Sequence, residues 1–159
     1  MKQSVYLETS VISHLTARPA RDPVGIARQA LTRKWWQVRR EAFDLVISDL
    51  VLQEMQAGDP DAARRRLEAA AGIPSLPISG ESVTLAELLV AEGPIPASHP
   101  EDALHIAVCA VNGIDFLLTW NCTHLANAAL RFGLENAVER GGYLCPAICT
   151  PEELMEPTL

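Results

Sequence analysis

The chain predicts an α/β protein built on a mostly parallel sheet of five strands. Two observations predict it. Short apolar runs alternate with helix-period stretches along the whole chain, which is the rhythm of strand–crossover–strand units. The first apolar run, Val5-Tyr6-Leu7, stops at Glu8-Thr9-Ser10. That places a carboxylate at the carboxyl end of a strand, where open α/β sheets bind their ligands.

The strands are expected near 3–8, 44–48, 73–78, 115–119 and 143–149. Between them, helices are expected near 10–16, 23–42, 49–57, 60–71, 80–92, 99–112, 122–131 and 134–139. Thr9 or Ser10 reads as the cap of the first helix. In 23–42, Leu31, Trp35, Val38 and Ala42 recur at spacings of four, three and four, one buried stripe, with Trp36 off it and free to face a partner. Asp59-Pro60 reads as an N-cap followed by proline at the first helical position. Ser98-His99-Pro100-Glu101 has the form of a capping box, as does Thr150-Pro151-Glu152-Glu153. Gly93, Pro94 and Pro96 mark a loop between two helices. No linker separates two parts, so 1–159 reads as one domain with a core over about 3–150.

With 159 residues and 48% apolar content, the chain is large enough for a true core and is not disordered. No apolar run reaches the roughly 18–20 residues of a membrane span. The N-terminus enters a strand at once with no apolar leader, so a cytoplasmic location is expected. Cys109, Cys122, Cys145 and Cys149 match no zinc spacing. Free thiols are expected, with Cys109 in the core and a Cys145–Cys149 pair left open.

Net charge is −7 and unevenly spread. Residues 1–80 carry 11 basic and 9 acidic side chains, whereas 81–159 carry 2 and 11. A nucleic-acid partner would therefore use the N-terminal half, where Arg18, Arg21, Arg28, Arg33, Lys34, Arg39 and Arg40 are densest. A solvated helix face is the plainer reading of that run, and overall acidity opposes strong non-specific binding.

Three acids stand out. Glu8 ends the first strand. Glu54 follows Leu50 and Val51 at spacings of four and three, on an apolar face, where a bare carboxylate is costly unless paired or metal-bound. An arginine partner and a metal or active-site role both remain open for it. In the box reading, Glu101 serves the helix start and leaves Asp102 for another task. His105, three residues on, reads as a packed or hydrogen-bonded histidine. A fourth segment, Phe116 to Asn121, ends a buried strand in a hydroxyl, an indole and an amide. There Asn121 is a neutral oxygen donor, and His124 and Asn127 follow at spacings of three. Converging carboxylates repel, and a hard divalent ion such as Mg²⁺ or Mn²⁺ relieves that. Such an ion can lower the pKa of bound water and polarise a phosphoryl oxygen. No dinucleotide fingerprint or P-loop is present.

Tyr6 to Ser10, Ser48 to Glu54, Asp102 to Ala107 and Leu118 to Asn121, in that order, resemble the PIN domain over about residues 3–150. The resemblance implies a three-layer α/β/α sandwich, Mg²⁺- or Mn²⁺-dependent ribonuclease activity, homodimers and, for VapC-like toxins, a small antitoxin partner. It makes Glu8, Glu54 and Asp102 the metal ligands. Asn121 would be a further catalytic residue, with Thr9, Ser10, Thr119 and His124 supporting and Arg18, Arg21, Arg28, Arg33 and Lys34 on RNA. Two positions depart from the family pattern: Glu8 stands where aspartate is usual, and Asn121 where a fourth acid is common. The departures and the acidic C-terminal half also suit a catalytically weak PIN fold acting as an interaction partner. A HAD-like phosphatase would need aspartates at the positions of Glu8 and Ser10.

Overall fold

The computed structural model describes residues 1–157. Five strands, β1 (Gln3–Leu7), β2 (Phe43–Ser48), β3 (Ser75–Leu76), β4 (Phe116–Leu118) and β5 (Ala147–Cys149), form one parallel sheet in the order β3-β2-β1-β4-β5. The helices are α1 (Thr9–Thr16), α2 (Pro23–Val38), α3 (Asp49–Met55), α4 (Pro60–Ala69), α5 (Gly80–Ala91), α6 (Pro100–Val111) and α7 (Ala128–Arg140). This is the expected α/β class. Central β1 buries Val5, Tyr6 and Leu7 completely, because helices cover both faces of a parallel sheet.

The strand order fixes where a ligand can sit. From β1 the chain moves outward through β2 and β3, then returns to the other side of β1 for β4 and β5. Connections therefore diverge between the carboxyl ends of β1 and β4, which opens a crevice at that point. Tyr6 pairs with Leu117 and Leu7 with Leu118 in the register of these two strands. Glu8 and the Thr119–Asn121 segment therefore emerge side by side.

Several local expectations need correction. The outer strands are shorter than expected. Pro74 and Pro77 bracket β3 and Pro146 precedes β5, and proline has no ladder donor to extend either. Helix α2 stops at Val38, and Arg40–Ala42 is a separate 3₁₀ turn. The expected stripe on α2 fails in half its members: Trp35 is buried against Phe43, but Val38 is 62% exposed and Ala42 is exposed too. The buried face instead runs through Gln29, Thr32 and Trp35. The polar pair is accepted there because it is satisfied. Gln29 binds the backbone of Ala17, Arg18 and Ala20, and Thr32 accepts from the Trp120 indole. Trp36 is half-buried under the Arg40 guanidinium, 3.9 Å from its ring centre.

The two short helices expected beyond residue 122 are a turn followed by one helix, α7, which runs straight through Gly133. A Cβ there would lie 3.5 Å from Pro94, ordinary contact, so this glycine neither breaks nor bends the helix. At the start of α6, Pro100 is the first helical residue, so His99 is the cap and Ser98 binds its Nδ1 instead. At α4, Asp59 before Pro60 does cap, accepting from Ala62 N–H at 2.9 Å. Thr150 and Glu153 exchange the reciprocal bonds of a capping box, although the segment is only a turn. The four cysteines are free, and Cys109 is fully buried. Among the described residues, no helix is long and apolar enough to cross a membrane.

Candidate metal centre

Each acid is delivered by the end of a different element. Glu8 follows β1 directly and itself caps α1, with its carboxylate folding back to accept from Ser10 N–H at 3.1 Å. Thr9 and Ser10, expected to cap, are instead the first two helical residues. Their hydroxyls hold the acids: Ser10 Oγ donates to Glu8 Oε1 (2.5 Å) and Thr9 Oγ1 to Glu54 Oε1 (2.6 Å). Thr119 Oγ1 donates to the same Glu8 oxygen from across the crevice (2.6 Å), and Trp120 N–H closes the link onto Ser10 Oγ (2.8 Å). Glu8 is thus only 8% exposed with three donors on it.

Glu54 projects from α3, whose cap Ser48 ends β2 and accepts from Val51 N–H. Its charged partner is His105, at 2.9 Å from Nε2 to Oε1, and not an arginine. Burial raises the carboxyl pKa, but the hydrogen bond and charge of His105 and the Thr9 hydroxyl outweigh it, so Glu54 lies below the ordinary glutamate range. His105 is 1% exposed. Its Nδ1 meets the Tyr6 hydroxyl at 2.6 Å, which in turn meets Ser48 Oγ at 2.7 Å. Burial pushes the Tyr6 phenol well above its usual range, so it stays a neutral hydroxyl.

Asp102 stands in the first turn of α6 with both oxygens engaged. Oδ1 accepts from Asn121 Nδ2 (3.1 Å) and Oδ2 lies 2.9 Å from His124 Nδ1. Burial lifts its pKa above the aspartate range, against the hydrogen bonds from His124 and Asn121. Asn121 Oδ1 accepts from His124 N–H, and the rings of His99 and His124 lie 4.6 Å apart between centres.

The donor set fits a divalent ion. Among the described residues, one group of ligand atoms lies entirely within 4.8 Å of one another: a carboxylate oxygen from Glu8, one from Glu54 and a ring nitrogen of His105. Asp102 lies outside that group. Of the basic residues expected on RNA, Arg28 comes to the site, with its guanidinium 5.3 Å from the Trp120 ring centre and 3.8 Å from Cys122 Sγ. Arg18 turns to Asp61 (3.8 Å), and Arg21, Arg33 and Lys34 lie exposed on the surface.

The chain is similar to solved VapC structures. One is Mycobacterium tuberculosis VapC20, described as a toxin that cleaves the sarcin–ricin loop. It is 16% identical with a TM-score of 0.58, over 76% of this chain and 92% of that one. Another is VapBC2 from Rickettsia felis, bound to a DNA fragment from its promoter. It is 16% identical with a TM-score of 0.55, over 75% and 89% of the two chains. No family model and no curated protein matches the sequence. At this identity the likeness is one of fold, and the fold is the PIN-like α/β arrangement expected.

The crevice contains residues that sequence patterning gave no role in the site. Tyr6 and Ser48 read as plain strand residues, while His105, read as packed or hydrogen-bonded, is both. The available signal was a phenol inside an otherwise aliphatic central strand, because a buried hydroxyl must find a partner. The two perturbed acids should separate in a carboxyl-carbon NMR titration, with Asp102 taking its proton above the ordinary aspartate value and Glu54 below the ordinary glutamate value. The stability consequences have opposite signs. Glu54 stabilises the fold above its unfolded value, and that contribution is lost as pH falls through the lower folded one. Ionised Asp102 costs stability at neutral pH, a cost relieved as pH falls through its raised value. Asp102 titrating below the ordinary aspartate value, or Glu54 above the ordinary glutamate value, would contradict this account.

Proposed function

We propose that the protein is a PIN-like, Mg²⁺- or Mn²⁺-dependent endoribonuclease, the toxin component of a toxin–antitoxin pair, built as one domain. The observation that carries this reading is the convergence of Glu8 and Glu54 within one ligand-sized group at the switch point of the sheet, with Asp102 on the same helix as the group's His105 and bound to Asn121. A divalent ion bound there supplies Lewis-acid polarisation of a phosphodiester and an activated water.

The chain's own residues do the rest. Thr9 fixes the Glu54 carboxylate, while Ser10 and Thr119 fix that of Glu8, so neither pays to reorganise when substrate arrives. Asp102 completes the acidic wall, with Asn121 and His124 setting the plane of its carboxylate. In this reading Arg28, beside Trp120, holds an RNA phosphate, and Arg18, Arg21, Arg33 and Lys34 supply further backbone contacts. A homodimer and a small antitoxin are the partners this reading carries.

The test is cleavage of RNA by purified protein in Mg²⁺ or Mn²⁺, its loss in chelator, and its loss in Asp102→Asn. Equal cleavage by the variant, or cleavage indifferent to chelator, refutes the proposal.

One observation favours a second reading, a PIN fold that serves as an interaction partner with little catalysis. Both oxygens of Asp102 are already taken by Asn121 and His124, where the family commonly has a fourth acid. Calorimetric titration with Mn²⁺ separates the two, since absence of binding at millimolar ion favours the interaction protein.

A further inference from the structure

We propose that His105, oriented by Tyr6 and Ser48, is a nitrogen ligand of the ion in the Glu8–Glu54 pocket and makes that pocket select first-row transition ions over Mg²⁺. The inference rests on the metal-dependent reading above and deepens it.

His105 Nε2 and Glu54 Oε1 share a hydrogen bond, and their separation is also that of two neighbouring ligands of one ion. Two atoms bound about 2.0–2.2 Å from one ion lie about 3 Å apart when they are neighbours in its shell. His105 Nε2 and Glu54 Oε1 are 2.9 Å apart, and the Glu8 oxygen closes the triangle within 4.8 Å. His105 is also the most buried member of the group, at 1% exposed. Both of its ring nitrogens are engaged, Nε2 on Glu54 and Nδ1 on Tyr6, so the ring is held in one orientation with Nε2 toward the acids.

The hydroxyls behind the ring let Nε2 play either part. Without an ion, Nε2–H donates to Glu54 Oε1, Nδ1 lies 2.6 Å from the Tyr6 hydroxyl, and that hydroxyl lies 2.7 Å from Ser48 Oγ. For ligation the Nε2 lone pair must face the pocket. Ligation requires that Nε2 give up its proton, which passes to solvent, while the ring keeps a proton on Nδ1. Nδ1–H then donates to Tyr6 Oη, and the Tyr6 hydroxyl turns to Ser48 Oγ. That oxygen has two acceptor positions and fills only one with Val51 N–H. A histidine ligand whose second nitrogen is held by a fixed partner is the arrangement that sets tautomer and ring orientation at metal sites.

The selectivity follows from ligand type. Mg²⁺ is served by carboxylates and water, while imidazole nitrogen adds affinity along the series from Mn²⁺ to Zn²⁺. An all-carboxylate pocket discriminates less.

The full-length protein is loaded with Mn²⁺ and examined by electron spin-echo modulation for directly bound ¹⁴N, alongside Mn²⁺ and Mg²⁺ affinities by calorimetry. Wild type should show imidazole ¹⁴N coupling. His105→Asn should lose it, with Mn²⁺ affinity falling more than tenfold and Mg²⁺ affinity changing less than threefold. Tyr6→Phe should keep the coupling and lose roughly 10–100-fold in Mn²⁺ affinity, the usual cost of removing an outer partner. The wild-type spectrum decides ligation even if His105→Asn fails to fold. Mn²⁺ bound without ¹⁴N coupling, or Mn²⁺ and Mg²⁺ affinity lost in equal measure, overturns the inference and leaves the nuclease reading standing. Failure of both ions to bind overturns both.

Discussion

Glu54→Gln should abolish RNA cleavage while leaving the fold in place. Glu54 Oε1 carries both of the residue's side-chain hydrogen bonds, from Thr9 and His105. An amide oxygen can take that position and keep both, and the amide nitrogen then falls where Oε2 stands. The substitution therefore removes a charge and a ligand with little change of shape. Outer partners of a metal site typically cost about 10–100-fold in affinity or activity when removed, so loss of an inner carboxylate should exceed that range. Circular dichroism should match wild type. Cleavage retained within tenfold would show that Glu54 is a structural partner of His105 and no more. Glu8→Gln is a poorer probe, because three donors converge on its carboxylate and an amide cannot accept from all of them on one side.

The frame of this site is legible in the chain because it depends on patterns with a fixed period. A buried strand ending in an acid, an acid on the apolar side of a short helix, and an acid in a helical first turn each announce themselves locally. What sequence cannot supply is which side chains then find one another. The box reading at Ser98 shows how a sound rule misleads. It assigned the helix start one residue too early, because Pro100 occupies the first helical position and pushes the cap to His99. Glu101 is then the second helical residue, and Asp102 takes the third. Asp102 was nevertheless the residue that turned to Asn121 and His124. The stripe on α2 failed for a related reason. Apolar spacing predicts which face could be buried, but Thr32 and Gln29 are buried because their partners, Trp120 and the 17–20 loop, arrive from elsewhere in the chain. Likewise the chain Ser48–Tyr6–His105–Glu54 joins β1, β2, α3 and α6, and its longest link spans 99 residues.

Binding of Mn²⁺ should raise the melting temperature by about 5–10 °C. Two carboxylate oxygens and an imidazole nitrogen within 4.8 Å offer a divalent ion three protein ligands that only the folded chain brings together. An ion that binds the folded chain and not the unfolded one stabilises it by about 2.7 kcal/mol at a hundredfold excess over Kd. For a domain of this size each kcal/mol moves the midpoint by roughly 2–4 °C. Chelator should reverse the shift. In Glu54→Gln the shift should vanish, and that variant without ion should melt below wild type at neutral pH, because the stabilisation that His105 and Thr9 give the ionised carboxylate is lost. Asp102→Asn should keep most of the shift, since Asp102 lies outside the cluster and its oxygens are already held by Asn121 and His124. If Asp102→Asn abolishes the shift and Glu54→Gln preserves it, the ion sits on the Asp102 side of the crevice and the grouping of Glu8, Glu54 and His105 is not its site.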